Sequence, residues 1–327
     1  MSESPHTSGP AVVAFGGGHG LYASLSALRM LTQNLTAVVT VADDGGSSGR
    51  LRDELGVLPP GDLRMALAAL CDTGEWGHTW RDVLQHRFHS EGPLDNHAVG
   101  NLLIVALWEL LEDPVRGLDL VGRLLGVRGR VLPMALSPMQ ISADVKLAGG
   151  QRRRVDGQFN VATTTGIVQG IHLTPPEPVP CAQAINAVNE ADWVVMGPGS
   201  WFTSVLPHLL VPSLKDALIG TPARRCLVLN LREVAGATSV PDTGEEAGMT
   251  VLDMVHALRD HAPDMRFDAV LADPAAVPDL PAIATAAESF GARLVQRPVR
   301  SGAGSLRHDP LRLAAALHDI LENEDVR

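Results

Sequence analysis

The sequence predicts an α/β protein built on a mostly parallel sheet with a β-rich insertion. Three strand ends carry that prediction. The apolar run Ala11–Phe15 leads into Gly16-Gly17-Gly18-His19-Gly20. The run Ala37–Ala42 ends in Asp43-Asp44 and a Gly/Ser/Arg loop through Arg50. A third, Trp193–Met196, meets Gly197-Pro198-Gly199-Ser200. Short apolar strands that break at a turn and pass into helical periodicity are the units of a parallel sheet with helical crossovers.

Each element follows from local pattern. After Gly20, Leu21, Leu25, Leu28 and Leu31 recur at helical spacing, so the glycines form a strand-to-helix turn. Pro59-Pro60-Gly61-Asp62 punctuates the chain, and Leu63, Leu67 and Leu70 continue as a helix with Asp62 expected at its N-cap. Asn101–Leu111 is apolar on nearly every side until Glu109, which predicts a buried central helix. Between about 129 and 175, the pieces Val131–Leu136, Asp144–Leu147 and Ile167–Leu173 alternate with Gly and Pro and read as a β-rich excursion. The α/β rhythm returns with helix Ala182–Asn189, strands Trp193–Met196, Cys226–Leu231 and Ala269–Ala272, and a closing helix over Pro310–Leu321. No linker separates the halves. The expected organisation is a flexible tail over 1–10 and a single domain over 11–327.

Bulk properties exclude several classes. A chain of 327 residues with 45% hydrophobic content buries a full core and is not disordered as a whole. A net charge of −11 argues against nucleic-acid and membrane-surface binding, which need basic faces. Only Lys146 and Lys215 are lysines, and neither follows a glycine loop, so a Walker-type NTPase is excluded. Cys71, Cys181 and Cys226 are far apart in sequence and suit a reduced interior. Met1–Pro10 lacks the build of a signal peptide, and the apolar run at Leu102–Trp108 is too short to span a bilayer. A cytoplasmic protein is expected.

The chemistry gathers at strand ends. Gly16, Gly17, Gly18 and Gly20 around His19 let backbone amides approach a phosphate, helped by the positive end of the following helix. The third glycine of a dinucleotide fingerprint is missing at Leu21, which disfavours an NAD site. One of Asp43 and Asp44 would hold a ribose or sugar hydroxyl, or a Mg²⁺ accompanying a nucleotide diphosphate. Ser47 and Ser48 would donate to phosphate oxygens, or else an aspartate caps the turn while Arg50 pairs with Asp53 or Glu54. Ser200 would sit at a helix start, as an anion donor or a simple cap. In a parallel sheet these turns, with Asn230 and Asp273, fall on one rim. His86, His89, Asp95 and His97 are read as surface groups rather than metal ligands, and Arg152–Arg154 as a solvated strand or loop. Arg307-His308 offers positive charge, or a helix entry. No spacing nominates a nucleophile.

The blocks GGGHGL, TAVVTVADDGGSSGRLRDELGVLPPGDLR, HAVGNLLIVAL and ADWVVMGPGSWFTSVLPHLLVP closely resemble the gluconeogenesis-factor (YvcK-like) family, within the CofD-like superfamily of phospholactate transferases. The resemblance runs from about Val12 to Arg307-His308-Asp309-Pro310. It implies a Rossmann-like three-layer α/β/α fold and a cytoplasmic regulatory protein that binds UDP-sugars and acts in cell shape and wall synthesis. An unknown protein partner in wall synthesis, and a homodimer, belong to the same picture. Within the quoted motifs, Asp62, Asn101, Ser204 and Arg307 complete the candidate ligand-binding set. The alternative is a Mg-dependent phosphotransferase that moves a phospholactyl group to a deazaflavin. The chain departs from the family pattern at His19, over Arg232–Met249, where only Gly244-Glu245-Glu246 matches, and around Thr165–Gly170. Pro310 stands where some relatives carry a threonine.

Overall fold

The computed structural model describes residues 9–147, 149–232, 246 and 249–322. The strands are β1 Val12–Gly16, β2 Leu35–Val39, β3 Arg130–Pro133, β4 Gln140–Lys146, β5 Arg152–Asp156, β6 Ile167–Thr174, β7 Trp193–Met196, β8 Arg224–Val228, β9 Ala269–Ala272 and β10 Arg293–Gln296. The helices are α1 Gly18–Leu28, α2 Gly46–Leu55, α3 Gly61–Leu70, α4 Glu75–Gln85, α5 Val99–Leu111, α6 Pro114–Leu124, α7 Gln158–Ala162, α8 Ala182–Asn189, α9 Pro212–Gly220, α10 Val251–His261, α11 Leu280–Ser289 and α12 Pro310–Glu322.

Seven strands form a parallel sheet in the order β10-β9-β8-β7-β1-β2-β3. The interior strands β1, β7 and β9 are buried at every position, as a sheet covered by helices on both faces requires. From β1 the chain winds outward through β2 and β3, then returns to β7 on the other side of β1 and winds the opposite way. The reversal places a topological switch point between β1 and β7, where the crossovers diverge and leave a crevice. This is the Rossmann-like α/β architecture expected.

The excursion has different bounds from those expected over 129–175. Arg130–Pro133 is no part of it: β3 pairs with β2 in parallel and forms the edge of the main sheet. The separate antiparallel sheet, β5-β4-β6, spans Gln140–Thr174. The buried run Val131, Leu132, Pro133 is that of a covered parallel strand, whereas β4 and β6 largely alternate buried and exposed positions. Helix α5 also differs. It buries Ile104, Val105 and Trp108 but exposes Leu110, so it is a surface helix with an apolar outer face rather than a central one. Sequence apolarity overstated its burial.

Local stops are chemically specific. Asp113 accepts the amides of Val115 and Arg116 ahead of Pro114 in α6. Thr250 and Asp253 form a reciprocal capping box on α10. Gly56 closes α2 at φ +67°, a left-handed conformation that glycine adopts without strain. Met1–Ser8 of the expected tail and, within the Arg232–Met249 stretch, residues 233–245, 247 and 248, including Gly244-Glu245, lie outside the described residues.

Candidate functional site

The turn after β1 and the turn after β7 are in direct contact at the switch point. Ser24 Oγ donates to the Gly197 carbonyl at 2.8 Å. A Cβ on Gly20 would fall 2.6 Å from Gly199 Cα and from the Pro198 carbonyl carbon. Only a glycine admits that approach. Two segments about 180 positions apart in the chain are thus brought to one rim, as the strand-end argument anticipated.

The first turn faces carboxylates. Gly17 starts α1 with no side chain to cap it, and a Cβ there would come within 2.5 Å of Thr40 Cγ2 and 3.2 Å of Ser204 Oγ, beside the Asp62 carboxyl. Asp62 lies in the first turn of α3 but does not cap it. The cap position falls to Pro60, and the Asp62 carboxyl turns back to the Gly18 amide. Burial, with the charge of Asp43 added, pushes its pKa up to about 7. Asp43 accepts the Gly45 amide at 2.9 Å, and burial raises its carboxyl as well. Asp44 points elsewhere: its Oδ1 accepts the Phe159 amide at 2.8 Å, tying the rim to α7 of the small sheet.

The two serines are committed inside the protein. Ser48 Oγ accepts the Gly61 amide at 3.0 Å. Ser47 Oγ accepts from Asn101 Nδ2 at 3.0 Å and lies 3.0 Å from His97 Nδ1. Asn101 Oδ1 in turn accepts Arg64 Nε at 2.9 Å. Ser47, His97, Asn101 and Arg64 form a buried polar chain beneath the acidic loop, which fixes α2 against α3 and α5. Arg50 pairs with neither Asp53 nor Glu54; it donates to the carbonyls of Pro93 and Asp95.

The second turn is likewise occupied. Gly199 donates its amide to Asn230 Oδ1 at 3.0 Å, and Trp201 donates its amide to Glu246 Oε1 at 2.8 Å. Glu246 also accepts from Asn230 Nδ2 and from Arg232 Nη1, both at 3.1 Å. Enclosure raises its carboxyl. Ser200 precedes a π-helical turn, Trp201–Val205, rather than an α-helix, and its side chain makes no capping bond. Asp273 is buried and holds the amides of Ala275, Val299 and Arg300, so it braces the sheet edge instead of facing the crevice. Arg307 is exposed, whereas His308 beside it is partly enclosed and kept neutral by burial, its pKa lowered to about 4.

Sequence reasoning missed Thr40, Arg64 and Glu246. Thr40 Oγ1 and Arg64 Nη1 are buried polar atoms with no hydrogen-bond partner, and Thr40 contacts the glycine turn directly. Native proteins leave few such groups unpaired unless something absent from the chain completes them. The signal was present as the residue after the second strand and as the arginine of the GDLR block, but neither type advertises a role. Of the histidines read as surface groups, His97 is instead buried, its Nδ1 3.0 Å from Ser47 Oγ.

A doubly wound α/β sheet whose switch point carries an uncapped glycine turn above buried carboxyls is a fold that places a ligand crevice at its strand ends. The family model for 2-phospho-L-lactate transferase CofD matches residues 12–301. The chain is 50% identical to a Mycobacterium tuberculosis protein named "Putative gluconeogenesis factor", over 94% of this chain and 90% of that one. It is 36% identical to the Bacillus subtilis "Gluconeogenesis factor", over 83% and 80% of the respective chains. A crystal structure of a UPF0052-family protein from Bacillus halodurans superposes with a TM-score of 0.81 at 30% identity, covering 94% of this chain and 99% of that one. The chain belongs to the CofD family, and within it groups with the gluconeogenesis factors.

Proposed function

We propose that this chain is a regulatory protein that binds a nucleoside diphosphate sugar, UDP-sugars foremost, in the crevice between β1 and β7. The observation that supports it most is the meeting of the Gly16–Gly20 and Gly197–Ser200 turns over Asp43, Asp62 and the unpartnered Thr40 hydroxyl. The amides of the first α1 turn receive the diphosphate, since the second turn is already engaged by Asn230 and Glu246. Asp43 and Asp62 offer hard oxygen donors, which suit a Mg²⁺ that neutralises a diphosphate beside two acids. Those two residues would hold the ion, and it would supply charge neutralisation. The relatives named as gluconeogenesis factors support a role in gluconeogenesis; beyond those names, we propose that the protein acts in the cytoplasm, in cell shape and wall synthesis, with a wall-synthesis protein as partner.

The family model's description, 2-phospho-L-lactate transferase, supports the alternative of a phosphotransferase, for which the acceptor we propose is a deazaflavin. A melting-point panel of UDP-sugars, GDP, NAD and a deazaflavin, each with and without Mg²⁺, separates the two, because a ligand that binds the native state raises the melting temperature. A shift with UDP-sugars alone supports the proposal; a shift with the deazaflavin and none with UDP-sugars overturns it.

A further inference from the structure

Away from the rim, the small sheet carries a basic cleft that the proposed function does not use. A cavity of about 670 Å³ lies between this sheet and the C-terminal end of α10, lined by Arg152, Arg153, Arg154, His172 and His261 among others. It shares no residue with the glycine turns or with Asp43 and Asp62.

The charges in this cleft are poorly balanced. Lys146 and Arg152 stand directly opposite each other across β4 and β5, an unfavourable like-charge pair. Arg152 and Arg153 are exposed and make no ion pair or side-chain hydrogen bond with the described residues. Arg154 reaches Ser142 Oγ at 2.6 Å and Asp156 at 3.6 Å. The carboxylate of Asp144, which lines the cleft, is engaged by His172 Nε2 at 2.8 Å. Three arginines line the cleft against two carboxylates, Asp144 and Asp260, so the concavity remains electropositive in a chain of net charge −11. The floor is firm: His261 Nδ1 donates to the Ala257 carbonyl at 2.7 Å, which leaves Nε2 to accept the Ile171 amide at 3.4 Å and fasten α10 to β6.

We infer that this cleft is a second ligand site, specific for a small phosphorylated metabolite of the sugar phosphate class. Its volume matches a metabolite rather than a macromolecular surface. Guanidinium groups bind phosphate oxygens bidentately, and two of them are uncommitted here. The bland role for these arginines is protection of the β5 edge against strand pairing. That role needs charge but no ligand, so binding distinguishes the two.

The test is calorimetry of the full chain with glucose 6-phosphate as probe and glucose as control, repeated on R152Q/R153Q and on the rim variant N230A. The expected result is binding of glucose 6-phosphate but not glucose, weakened at least about tenfold in R152Q/R153Q and unchanged in N230A. Both arginines are exposed, so an unaltered circular dichroism spectrum and melting temperature show that R152Q/R153Q remains folded. Equal binding by R152Q/R153Q, no binding by the wild type at millimolar probe, or loss of binding in an N230A protein whose circular dichroism spectrum matches the wild type overturns the assignment. So does a sedimentation shift showing that a second copy covers the cleft. None of these outcomes depends on whether UDP-sugars bind at the rim.

Discussion

Asn230 and Gly199 are joined by two reciprocal hydrogen bonds: the Gly199 amide donates to Asn230 Oδ1 at 3.0 Å, and Asn230 Nδ2 donates to the Gly199 carbonyl at 2.8 Å. The side chain thus imitates a strand neighbour. It extends the order of β8 by two residues and locks the turn that abuts Gly20. Asn230→Ala leaves both backbone groups unpaired and costs about 1–3 kcal/mol of stability. Urea denaturation checks this, and a variant as stable as the wild type refutes the locking role. Asn230→Asp should be worse, because it sets a second carboxylate against Glu246 and cannot donate to the Gly199 carbonyl.

The contact between the two turns makes Gly20 a sterically closed position. Gly20→Ala forces its methyl against the Pro198 and Gly199 backbone, which has no rotamer with which to yield. The expected loss is about 1–3 kcal/mol, with UDP-sugar affinity reduced in parallel. Gly170→Ala, where a Cβ meets nothing within 4 Å, serves as the control that leaves both unchanged.

Asp62 titrates in the direction opposite to an ordinary paired carboxylate. Its pKa rises from 3.8 in the unfolded chain to about 7 in the native state. Between those values the folded protein holds a proton that the unfolded chain has released. Stability from this group is therefore full below pH 4 and falls as pH rises towards 7, by up to about 1.4 kcal/mol per pH unit. His208 and His308, both lowered from 6.5 to about 4, act with the opposite sign between pH 4 and 6.5. The informative measurement is the difference between wild type and Asp62→Asn. The variant gains stability relative to the wild type as pH rises from 4 to 8; a difference constant with pH contradicts the assignment.

The same carboxyl links pH to ligand. Above pH 7 an ionised Asp62 beside the Gly18 amide repels a diphosphate, so UDP-sugar affinity measured without divalent ions should weaken from pH 6 to pH 8. Mg²⁺ should restore it by neutralising both charges. Calorimetry at the two pH values, with Mg²⁺ and with a chelator, checks this; affinity independent of both variables counts against a diphosphate at this turn.

All three cysteines are free and buried, and burial raises the Cys226 thiol to about 12. A thiol reagent should therefore find no reactive cysteine in the native protein and three after denaturation. Any fast-reacting thiol in the native state contradicts the packing around Cys71, Cys181 and Cys226.

The sequence alone determined the sheet and its rim. Trp193–Met196 and Ala269–Ala272 match β7 and β9, and Ala182–Asn189 matches α8, because an apolar run ended by a turn residue has few other solutions. The strand-to-glycine junctions likewise identified which loops would meet, since a parallel sheet sends all its strand ends to one side. Tertiary structure decided the rest. Whether Val131 belonged to the excursion or to the main sheet depended on which neighbour, β2 or β4, offered it a ladder, and no local pattern encodes a partner. The roles of the polar side chains were also beyond local reading. Ser47, Ser48 and Asn230 have the chemistry of ligand donors, yet each is consumed by a group remote in sequence. Thr40 and Arg64 look unremarkable in the chain but keep unpaired polar atoms when buried. A side chain's type fixes what it can bond; only the packed fold fixes which of those bonds its neighbours have already taken.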